Sequence, residues 1–492
     1  MYNTIQHFEE VGIKKIQKII ESFIKDPKDM ASFVTGIRDE VVSLGLSVIQ
    51  ETLEDMDQQI RSSQKRKEKW NIVRNDEKQL KTSLGDILIH KTLFRNKEDH
   101  HSEYLLDTIL GMSPHERLTE DAEQKLLEEA AESSYRKAGE CTSLSYGVSK
   151  QTVKNKIHAL RFPEEVQIKY PEKKQVDFLY IDADEDHVSL QFREQKGDLE
   201  KNEWGRKENG MITKLVYVYE GIRKEAPMSR RHCLIHPYYF SGAYAGTEGN
   251  EELWDSVYDF LEKNYDLGHV KKVFLNGDGG AWIKAAKNRF HGLTYVMDEF
   301  HLRKYLLRAT AHLLDSAEDV RKEVLKIMKE GTKKDLQEVF QKIYASIETE
   351  GRLKRVKECE EYFLNNWSAI KVRLSCRNQV KGCSAEGHVS HVLASRMSSR
   401  PMGWSEKGAD KMAHLLAYKW NGGDMLELVR YQRKEELKKA AGAEESILSA
   451  TQMLRAERNK FGDVGKYLEC IRHHIDTGKK KYVGLSSKIW NL

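Results

Sequence analysis

Apolar residues recur every three or four positions along residues 1–75, in IKKIQKIIESFI and again in EVVSLGLSVIQETLEDMDQQI. This spacing is typical of amphipathic helices. Residues 76–115 differ, because LKTSLGDILIHKTLFRN alternates between apolar and polar positions around a turn near Gly85. That alternation predicts a small hairpin. Helical periodicity returns over residues 116–162.

A charged connector, EEVQIKYPEKKQ, lies between Pro163 and the residues that follow Pro171, and it predicts a domain boundary. Beyond it come three strand-like runs, VDFLYIDAD, HVSLQFRE and KLVYVYEGI. Strands and helices then alternate, which indicates an α/β domain with a mixed sheet. One of these helices places four apolar residues on a single face: Leu253, Val257, Leu261 and Tyr265. From residue 301 onward the pattern is almost entirely helical.

The amino-acid composition excludes some classes of protein but does not indicate a binding partner. Basic residues number 81 and acidic residues 77, so the overall charge does not indicate binding to nucleic acid. The six cysteines form no CxxC pair, which argues against a disulfide scaffold or a zinc ribbon. The N-terminus lacks the apolar region of a signal peptide, and no uncharged apolar run reaches the roughly 18 residues of a membrane span. We therefore expect a soluble cytoplasmic protein.

Candidate chemistry begins with VFLNGDGGAWIK, where Asp278 follows a short apolar strand and precedes a helix. Asn-Gly and Asp-Gly are strong turn formers, so these residues alone are compatible with an ordinary turn. A second acidic strand end, IDADED, carries Asp182 and Asp184 on one face. If the two strands are neighbours, their carboxylates repel each other unless a divalent cation lies between them. Magnesium suits such oxygen ligands and supports phosphoryl transfer.

A third carboxylate stands in GCSAEGHVSHVLASRMSSRPMGW. Ser384 is expected to cap a helix that continues to Arg396, with Glu386 in its first turn, where the helix dipole favours an anion. Taken alone, Glu386 is better explained as a capping acid. Arg396 and Arg400 follow on or just after this helix, and their guanidinium groups suit contact with DNA phosphates or ion pairs with local acids.

Together these motifs make the chain resemble the DDE transposases of bacterial insertion sequences, in particular the ISLre group, which is distantly related to the Mutator-like enzymes. The segments that carry the resemblance are IDADEDHVSLQ, NGDGGAWIK, MDEFHLRKYL and AEGHVSHVLASRMSSRPMGWS. The resemblance covers nearly the whole chain. It implies an RNase H-like catalytic core in which Asp184, Asp278 and Glu386 hold Mg²⁺ or Mn²⁺. Asp182 remains an alternative to Asp184, and His301 is implied to contact the scissile phosphate or to position a water.

The resemblance also organises the domains of a multidomain α+β chain. The predicted regions are a helical N-terminal region (1–75), a hairpin region (76–115), a helix-turn-helix region (116–162), the first part of the RNase H-like core (172–305), a helical insertion (306–375), the second part of the core (376–440) and a C-terminal helical region (441–492). Related enzymes often carry a zinc module where the hairpin region lies. That region contains no cysteine, so we expect no structural zinc there.

A helix-turn-helix is predicted within SYRKAGECTSLSYGVSKQTVKNKIHAL, with Ser149 capping the second helix. Val153, Ile157 and Leu160 then face inward. The outward positions suit reading of a DNA groove, and they are Lys150, Gln151, Lys154 and Asn155. Many ordinary helical pairs share this pattern.

The resulting hypothesis is a transposase that binds the terminal inverted repeats of its element and catalyses Mg²⁺-dependent strand cleavage and transfer. Its partners would be double-stranded DNA and further copies of itself, as a homodimer or larger assembly. Two alternatives stay open at this point: a DNA-binding regulator without catalysis, and an RNase H-like nuclease that cuts without strand transfer.

Overall fold

The architecture comes from a computed structural model, which describes residues 2–113, 115–163, 169–191, 209–290, 292–376, 379–380 and 384–440. The predicted C-terminal region, 441–492, lies outside the described residues. Contacts divide the chain into two compact units. The first takes in the described parts of Met1–Ala130, Ser134–Val153 and Leu426–Leu492, and the second those of Ala131–Ser133 and Lys154–Met425.

The first unit opens with helices, as the periodicity predicts. They are α1 (Tyr2–His7), a π-helical turn (Phe8–Gly12), α2 (Ile13–Lys25), α3 (Met30–Ser62) and α4 (Gln64–Lys69). Helices α2 and α3 form an antiparallel pair, in which Phe23 stacks on Phe33 with ring centroids 4.5 Å apart. No side chain of α2 is buried. Every side chain of α2 is therefore at least partly exposed to solvent.

A β-hairpin follows, built from β1 (Trp70–Lys81) and β2 (Asp86–Asn96), with a short third strand, β3 (Ser102–Glu103). The turn lies where the sequence predicts it, but β1 begins at Trp70, six residues before the predicted region. Trp70 belongs to the hairpin because it is buried in a core with Ile60, Leu80 and Phe94. Packing of this side chain therefore extends the strand into a stretch that reads as basic helix.

The remaining described elements that begin in the first unit are helical: α5 (Leu105–Ile109), α6 (Glu120–Glu132), α7 (Tyr135–Cys141) and α8 (Lys150–Ala159). Ser149 caps α8, because its Oγ accepts a hydrogen bond from the Thr152 N–H at 3.1 Å. Val153, Ile157 and Leu160 are buried, as the pattern predicts. The chain between α7 and α8 turns tightly, since the Val148 N–H donates to the Gly139 carbonyl at 2.9 Å. A later helix, α19, spans Met425–Ala440.

The second unit contains a five-stranded mixed sheet formed by β4 (Phe178–Ser189), β5 (Gly210–Tyr219), β8 (Tyr238–Gly242), β9 (Lys272–Gly277) and β10 (Leu293–Met297). The strand order is β10-β9-β4-β5-β8. Strands β10, β9 and β4 are parallel, whereas β5 and β8 run antiparallel to their neighbours. Two short strands, β6 (Gly221–Lys224) and β7 (His232–Ile235), form a separate ribbon.

The sequence predicted that the first core strand ends at its acidic residues, and this is wrong. Strand β4 runs without a break from Phe178 to Ser189, so the acids lie in its middle. Pairing explains the difference, because β5 pairs with β4 continuously from Tyr180 to Ser189. Those ladder hydrogen bonds compensate for the low strand propensity of aspartate.

Helices cover the sheet. They are α9 (Gly246–Asn264), α10 (Ala281–Lys284), α11 (Glu299–Thr310), α12 (Ala317–Glu330), α13 (Lys333–Ala345), α14 (Glu350–Asn365), α15 (Trp367–Ser375), α16 (Ala385–Val389), α17 (Ser395–Met397) and α18 (Glu406–Trp420). The predicted apolar face of α9 is buried. Helices α11 to α15 share one continuous core with the sheet, through residues such as Met328, Phe340 and Phe363. The segment expected as an insertion is thus packed into the core of this unit. None of the described helices is long and apolar enough to cross a membrane.

Helix α13 begins with a capping box, in which Thr332 and Asp335 exchange side-chain-to-backbone hydrogen bonds. Thr332→Ala is expected to lower the free energy of unfolding by about 1 kcal/mol, because it leaves an N–H group of the first turn without its acceptor. Urea unfolding measures this loss. Thr349 caps α14 without a side-chain bond, so Thr349→Ala should change stability by less than about 0.5 kcal/mol. Equal losses in the two variants would contradict the capping argument.

Candidate active site

Three aspartates lie near one another at the carboxyl ends of β9 and β10, beside the middle of β4, and we call them the row. The register of β4 and β9 ends with Asp182 paired with Asn276. Asp184 lies two residues further along β4, and Asp278 lies two residues past Asn276, in the turn after β9. Likewise Met297 of β10 pairs with Gly277, so Asp298 follows opposite Asp278. The Asp298 N–H donates to the Gly277 carbonyl at 2.9 Å, which holds the third member of the row in place. The charges of Asp278 and Asp298 both act on the Asp184 carboxyl, which indicates that the three carboxylates are near one another.

Asp184 is half-buried, and its carboxyl has a raised pKa. Burial raises the pKa of its carboxyl to about 6, and the negative charges of Asp278 and Asp298 act in the same direction. The Glu185 N–H, which donates to Asp184 Oδ1 at 2.9 Å, and the nearby His301 oppose the shift. Like charges in a partly dry site are costly. A cation between Asp184 and Asp278 would remove this cost.

Asp278 lies in the turn between β9 and α10. Its Oδ1 accepts the Gly280 N–H at 2.9 Å, and its backbone carbonyl accepts the Tyr362 hydroxyl at 2.6 Å. Gly279 has a φ of +107°, and a Cβ there would lie 3.0 Å from the side chain of Asn366. Glycine is therefore required at this position. The helix α14 thus fixes the loop that carries Asp278.

Asp298 and His301 form a paired unit beside the row. Asp298 caps α11, since its Oδ2 accepts from the His301 N–H at 3.1 Å and lies 2.7 Å from His301 Nδ1. The hydrogen bond that His301 makes to the Asp298 carboxylate raises the pKa of His301, and the charges of Asp298, Asp278 and Asp184 act in the same direction. The same pairing holds the pKa of Asp298 below its ordinary value despite burial. The imidazole is thus stabilised as a cation next to the acidic row.

Asp182, the alternative first acid, has a different environment. It is fully buried, and four donors surround its carboxylate: the hydroxyls of Tyr217 (2.8 Å) and Tyr219 (3.2 Å), the Asn276 side-chain amide (2.5 Å) and the Ser384 N–H (3.3 Å). Burial raises the pKa of Asp182. All these groups enclose the carboxylate within the protein. Of the two alternatives, Asp184 is the half-buried one, and it is the one on which the charge of Asp278 acts.

A buried arginine extends this polar network into α15. Arg373 Nη2 donates to Asn276 Oδ1 at 2.7 Å, and its Nε donates to the Met297 carbonyl at 2.8 Å. The Asn276 amide in turn donates to Asp182. Arg373 thereby joins the carboxyl ends of β9 and β10 to the buried part of β4. No motif in the sequence singles out Asn276 or Arg373 as part of the site. The asparagine in the apolar run VFLNGD was the available signal, because a buried amide needs partners.

Glu386 lies on α16, and the structure does not bring it into the row. Its side chain is exposed and has no hydrogen-bond or ion-pair partner among the described residues. Among all the residues that the structure describes, no three His, Cys, Asp or Glu side chains converge closely enough to hold a metal ion. The N-terminus of α16 is nevertheless tied to β4, because Ser384 contacts both Asp182 and the Tyr217 hydroxyl. The predicted capping of α16 by the Ser384 side chain is wrong, since this hydroxyl lies 3.0 Å from the Tyr217 hydroxyl and makes no cap.

Helix α16 continues through a π-helical turn, Ser390–Ala394, into α17. Just before this turn, His388 of α16 packs on Tyr217, with ring centroids 4.5 Å apart. The Nδ1 atom of His388 lies 3.1 Å from the Tyr239 hydroxyl. Burial lowers the pKa of His388 to about 4, so this imidazole is neutral at physiological pH. A π-helical turn often marks a functional site.

The predicted DNA contacts have unequal exposure. Arg396 is buried, with its guanidinium 4.9 Å from the ring centroid of Trp404. Arg400 is exposed and lines a cavity of about 640 Å³ with His391 and Trp420. In the helix-turn-helix region, the four outward positions are all exposed, namely Lys150, Gln151, Lys154 and Asn155. Their contact with DNA stays a prediction.

Comparison with curated proteins finds relatives of nearly equal length. A UPF0236 protein of Caldanaerobacter subterraneus subsp. tengcongensis, whose name combines eleven locus designations, is 34% identical over 453 residues, 91% of this chain and 90% of its own. Another from the same organism, whose name combines four designations, is 35% identical over 426 residues, 86% of this chain and 85% of its own.

Among solved structures, the Drosophila P element transposase strand transfer complex matches 67% of this chain and 84% of its own, at 9% identity and a TM-score of 0.23. A score this low carries no argument about fold or function. The family comparison is extensive by contrast, since the model of an uncharacterised protein family, UPF0236, matches residues 25–435. This chain therefore belongs to the UPF0236 family.

Proposed function

We propose that the protein is a DNA transposase that binds the terminal inverted repeats of an insertion sequence and catalyses metal-dependent strand cleavage and transfer. The observation that carries the proposal is the aspartate row, in which Asp184 lies on β4, Asp278 follows the neighbouring parallel strand β9, and their charges interact. Carboxylates held close together in a partly dry site are favoured only where a cation offsets their repulsion. Burial raises the pKa of Asp184, and this repulsion acts in the same direction.

The donor set fits Mg²⁺, with Mn²⁺ as a substitute. Asp184 and Asp278 would hold the ion through hard oxygen atoms, and Mg²⁺ commonly binds one or two carboxylates while keeping several waters. Glu386 remains the proposed third ligand, although the described residues do not place it in the row. When bound, such ions activate a nucleophile and stabilise the attacking and leaving oxygens of phosphoryl transfer.

The chain's own residues supply the remaining functions. Asp298 engages His301 through Nδ1 and leaves Nε2 to donate to a phosphate oxygen. The hydrogen bond to Asp298 and the acidic surroundings raise the pKa of this imidazole and so favour its protonated form, which would attract the DNA backbone into a site that is otherwise negatively charged. The Tyr362 hydroxyl holds the backbone of Asp278 and limits the movement of that carboxylate. Each of these roles concerns positioning or charge and needs no covalent intermediate on the protein.

The sheet supports the RNase H-like interpretation. The first acid of the row lies on the first strand of the five-stranded sheet, and the second follows the fourth strand in chain order, as the resemblance requires. Helices α11 to α15 separate Asp278 from Glu386, in the position of the expected helical insertion. These helices also hold the loop of Asp278 and the carboxyl ends of β9 and β10, through Tyr362 and Arg373. They therefore have a direct structural connection with the site.

The names of the relatives supply independent support. One name combines eleven locus designations and another combines four. A name of that form fits a protein encoded at many places in one genome, which is the distribution expected of a mobile element. Neither a housekeeping nuclease nor a single regulator requires many copies. This feature favours transposition over the two alternatives that the sequence left open.

Cleavage of an end-labelled duplex that carries the element's own terminal repeats tests the proposal. We expect nicking at the repeat boundary with Mg²⁺ or Mn²⁺ and none with EDTA. A matched duplex with scrambled repeats should remain intact, and a supercoiled target plasmid should acquire the labelled strand. Cleavage without joining to the target would identify a nuclease. Tight, repeat-specific binding without cleavage under any metal condition would identify a DNA-binding regulator.

A further inference from the structure

Exposed apolar side chains are concentrated on the pair formed by α2 and α3. Six large ones lie between residues 13 and 41, with exposed fractions from 40% for Ile20 to 68% for Ile24. We call them the apolar face, and they are Ile13, Ile20, Ile24, Met30, Val34 and Val41. Single exposed apolar residues are common, but a contiguous group on a short stretch of chain indicates an interaction surface.

The position of these residues on α2 follows from helix geometry, with about 100° between successive residues. Contacts with α3 identify the seam between the helices: Phe23 stacks on Phe33, and Ile19 packs on Gly36. Relative to the seam residues of α2, the apolar-face residues Ile13, Ile20 and Ile24 are rotated by about 120° in the direction of increasing residue number. They therefore lie beside the seam, on one side of the pair.

The same construction applies to α3. Its seam residues include Phe33 and Gly36, and Met30, Val34 and Val41 are rotated from them by about 105° in the same sense. Because the two helices run antiparallel, equal rotations in sequence direction bring both sets to the same side of the pair. The apolar face is consequently one continuous surface across both helices. Half-buried Ile16 and Ile37 fill the middle of that surface.

The six residues also form three levels along the helix axes. Two contacts in the seam show which residues lie at the same height along the helix axes. Phe23 of α2 is level with Phe33 of α3, and Lys15 is level with Glu40. By the same antiparallel register, Ile13 lies level with Val41, Ile20 with Val34, and Ile24 with Met30. Each level therefore holds one residue from each helix. A second copy related by a two-fold axis parallel to the helices would complete each level as a four-residue layer, the packing of a four-helix bundle.

We propose that the apolar face joins two copies of this chain in a four-helix bundle, with α2 of each copy packed on α3 of the other. Charge favours this pairing over α2 on α2. Helix α2 carries four lysines and one glutamate, whereas the facing stretch of α3, residues 30–41, carries Asp39, Glu40 and Arg38. The proposed dimer interface does not depend on the proposed function. Only its biological use, to hold two DNA ends in one complex, rests on the proposed function.

The first test measures the mass of the full-length protein in solution by light scattering, without DNA or metal. We expect twice the 57.1 kDa chain mass at micromolar concentration. Ile20→Glu combined with Val34→Glu should raise the dimer dissociation constant at least about a hundredfold, because it would bury four unpaired charges in one layer. The matched control combines Ser22→Glu with Ser43→Glu, which adds the same charge at exposed positions away from the apolar face. It should remain dimeric.

The second test determines the arrangement. When protein with Ile20→Cys is mixed with protein with Val34→Cys, oxidation should form a disulfide-linked dimer, because these residues occupy the same layer. Either variant alone should form much less, since its two cysteines are diagonal in the layer and too far apart to bond. The unsubstituted chain reports any linkage through its native cysteines.

A monomer at all concentrations up to about 100 μM, well above the dissociation constants of specific homodimers, would overturn the proposal. So would a dimer that survives the two glutamates, because it would use another surface. Circular dichroism verifies that the variants fold. The result is independent of the cleavage assay: a monomer could still cut DNA, and a dimer joined at this face could be inactive.

Discussion

Asparagine in place of either Asp184 or Asp278 is expected to lower metal-dependent strand cleavage at least about a hundredfold, because loss of one ligand removes several kcal/mol of transition-state stabilisation. Asp184 lies on β4, Asp278 follows the neighbouring strand β9, and their charges interact, so the two variants should lose similar activity. Initial cleavage rates on the labelled repeat duplex, measured over a range of Mg²⁺ concentrations, give the comparison.

Stability distinguishes a lost ligand from a damaged fold. The carboxylates of Asp278 and Asp298 oppose the ionised form of Asp184. In EDTA, Asp184→Asn should therefore unfold at the same temperature as the unsubstituted protein or at a higher one. Mg²⁺ or Mn²⁺ should raise the unfolding temperature of the unsubstituted protein and leave that of the variant unchanged, because only the former binds the ion.

Asp177 supplies the matched control, since it lies just before β4, is exposed and pairs with Lys271 on the surface. Asp177→Asn should keep full activity. Glu386→Gln tests the proposed third ligand separately, and it should lose as much activity as Asp278→Asn if Glu386 joins the site when DNA and metal bind. Full activity in Asp184→Asn or Asp278→Asn would sink the proposed mechanism.

Replacing Arg373 is expected to have the largest effect on stability among the buried polar residues of the site. Arg373→Met keeps most of the side-chain volume but removes the donors to Asn276 and to the Met297 carbonyl. Buried acceptors left without a partner cost about 1–3 kcal/mol each, so the free energy of unfolding should fall by about 3 kcal/mol. Denaturant unfolding of the full-length protein measures it.

The control for this variant is Arg303→Met on α11. Arg303 is 72% exposed and pairs with Glu299 one helical turn away, an interaction worth less than about 1 kcal/mol. Arg373→Lys should rescue little, because one ammonium group does not reproduce the two directed donors of a guanidinium. If Arg373→Met were as stable as Arg303→Met, the buried network would contribute little to holding the strands.

The sequence predicts those features of the structure that depend on neighbouring residues in the chain, and it fails for those that depend on distant ones. Periodicity locates the helices of the first unit, the buried face of α9 and the inward residues of α8, because three- and four-residue spacing is a property of each helix alone. The end of β4 and the start of β1 were predicted wrongly. Pairing with β5 carries one strand through its acids, and the burial of Trp70 draws the other into a basic stretch.

The sequence by itself determined which residue types were available for the site: two acids on one strand and a third after a glycine-flanked turn. Only the tertiary structure decided that Asp184, and not Asp182, lies beside Asp278, because strand register is set by long-range pairing. It also placed Asp298 beside this pair, and it alone revealed the buried network of Tyr217, Asn276 and Arg373. The physical reason is that residues as far apart in the sequence as Asp182 and Ser384, which are separated by 202 positions, meet only when sheet register and helix packing are both complete.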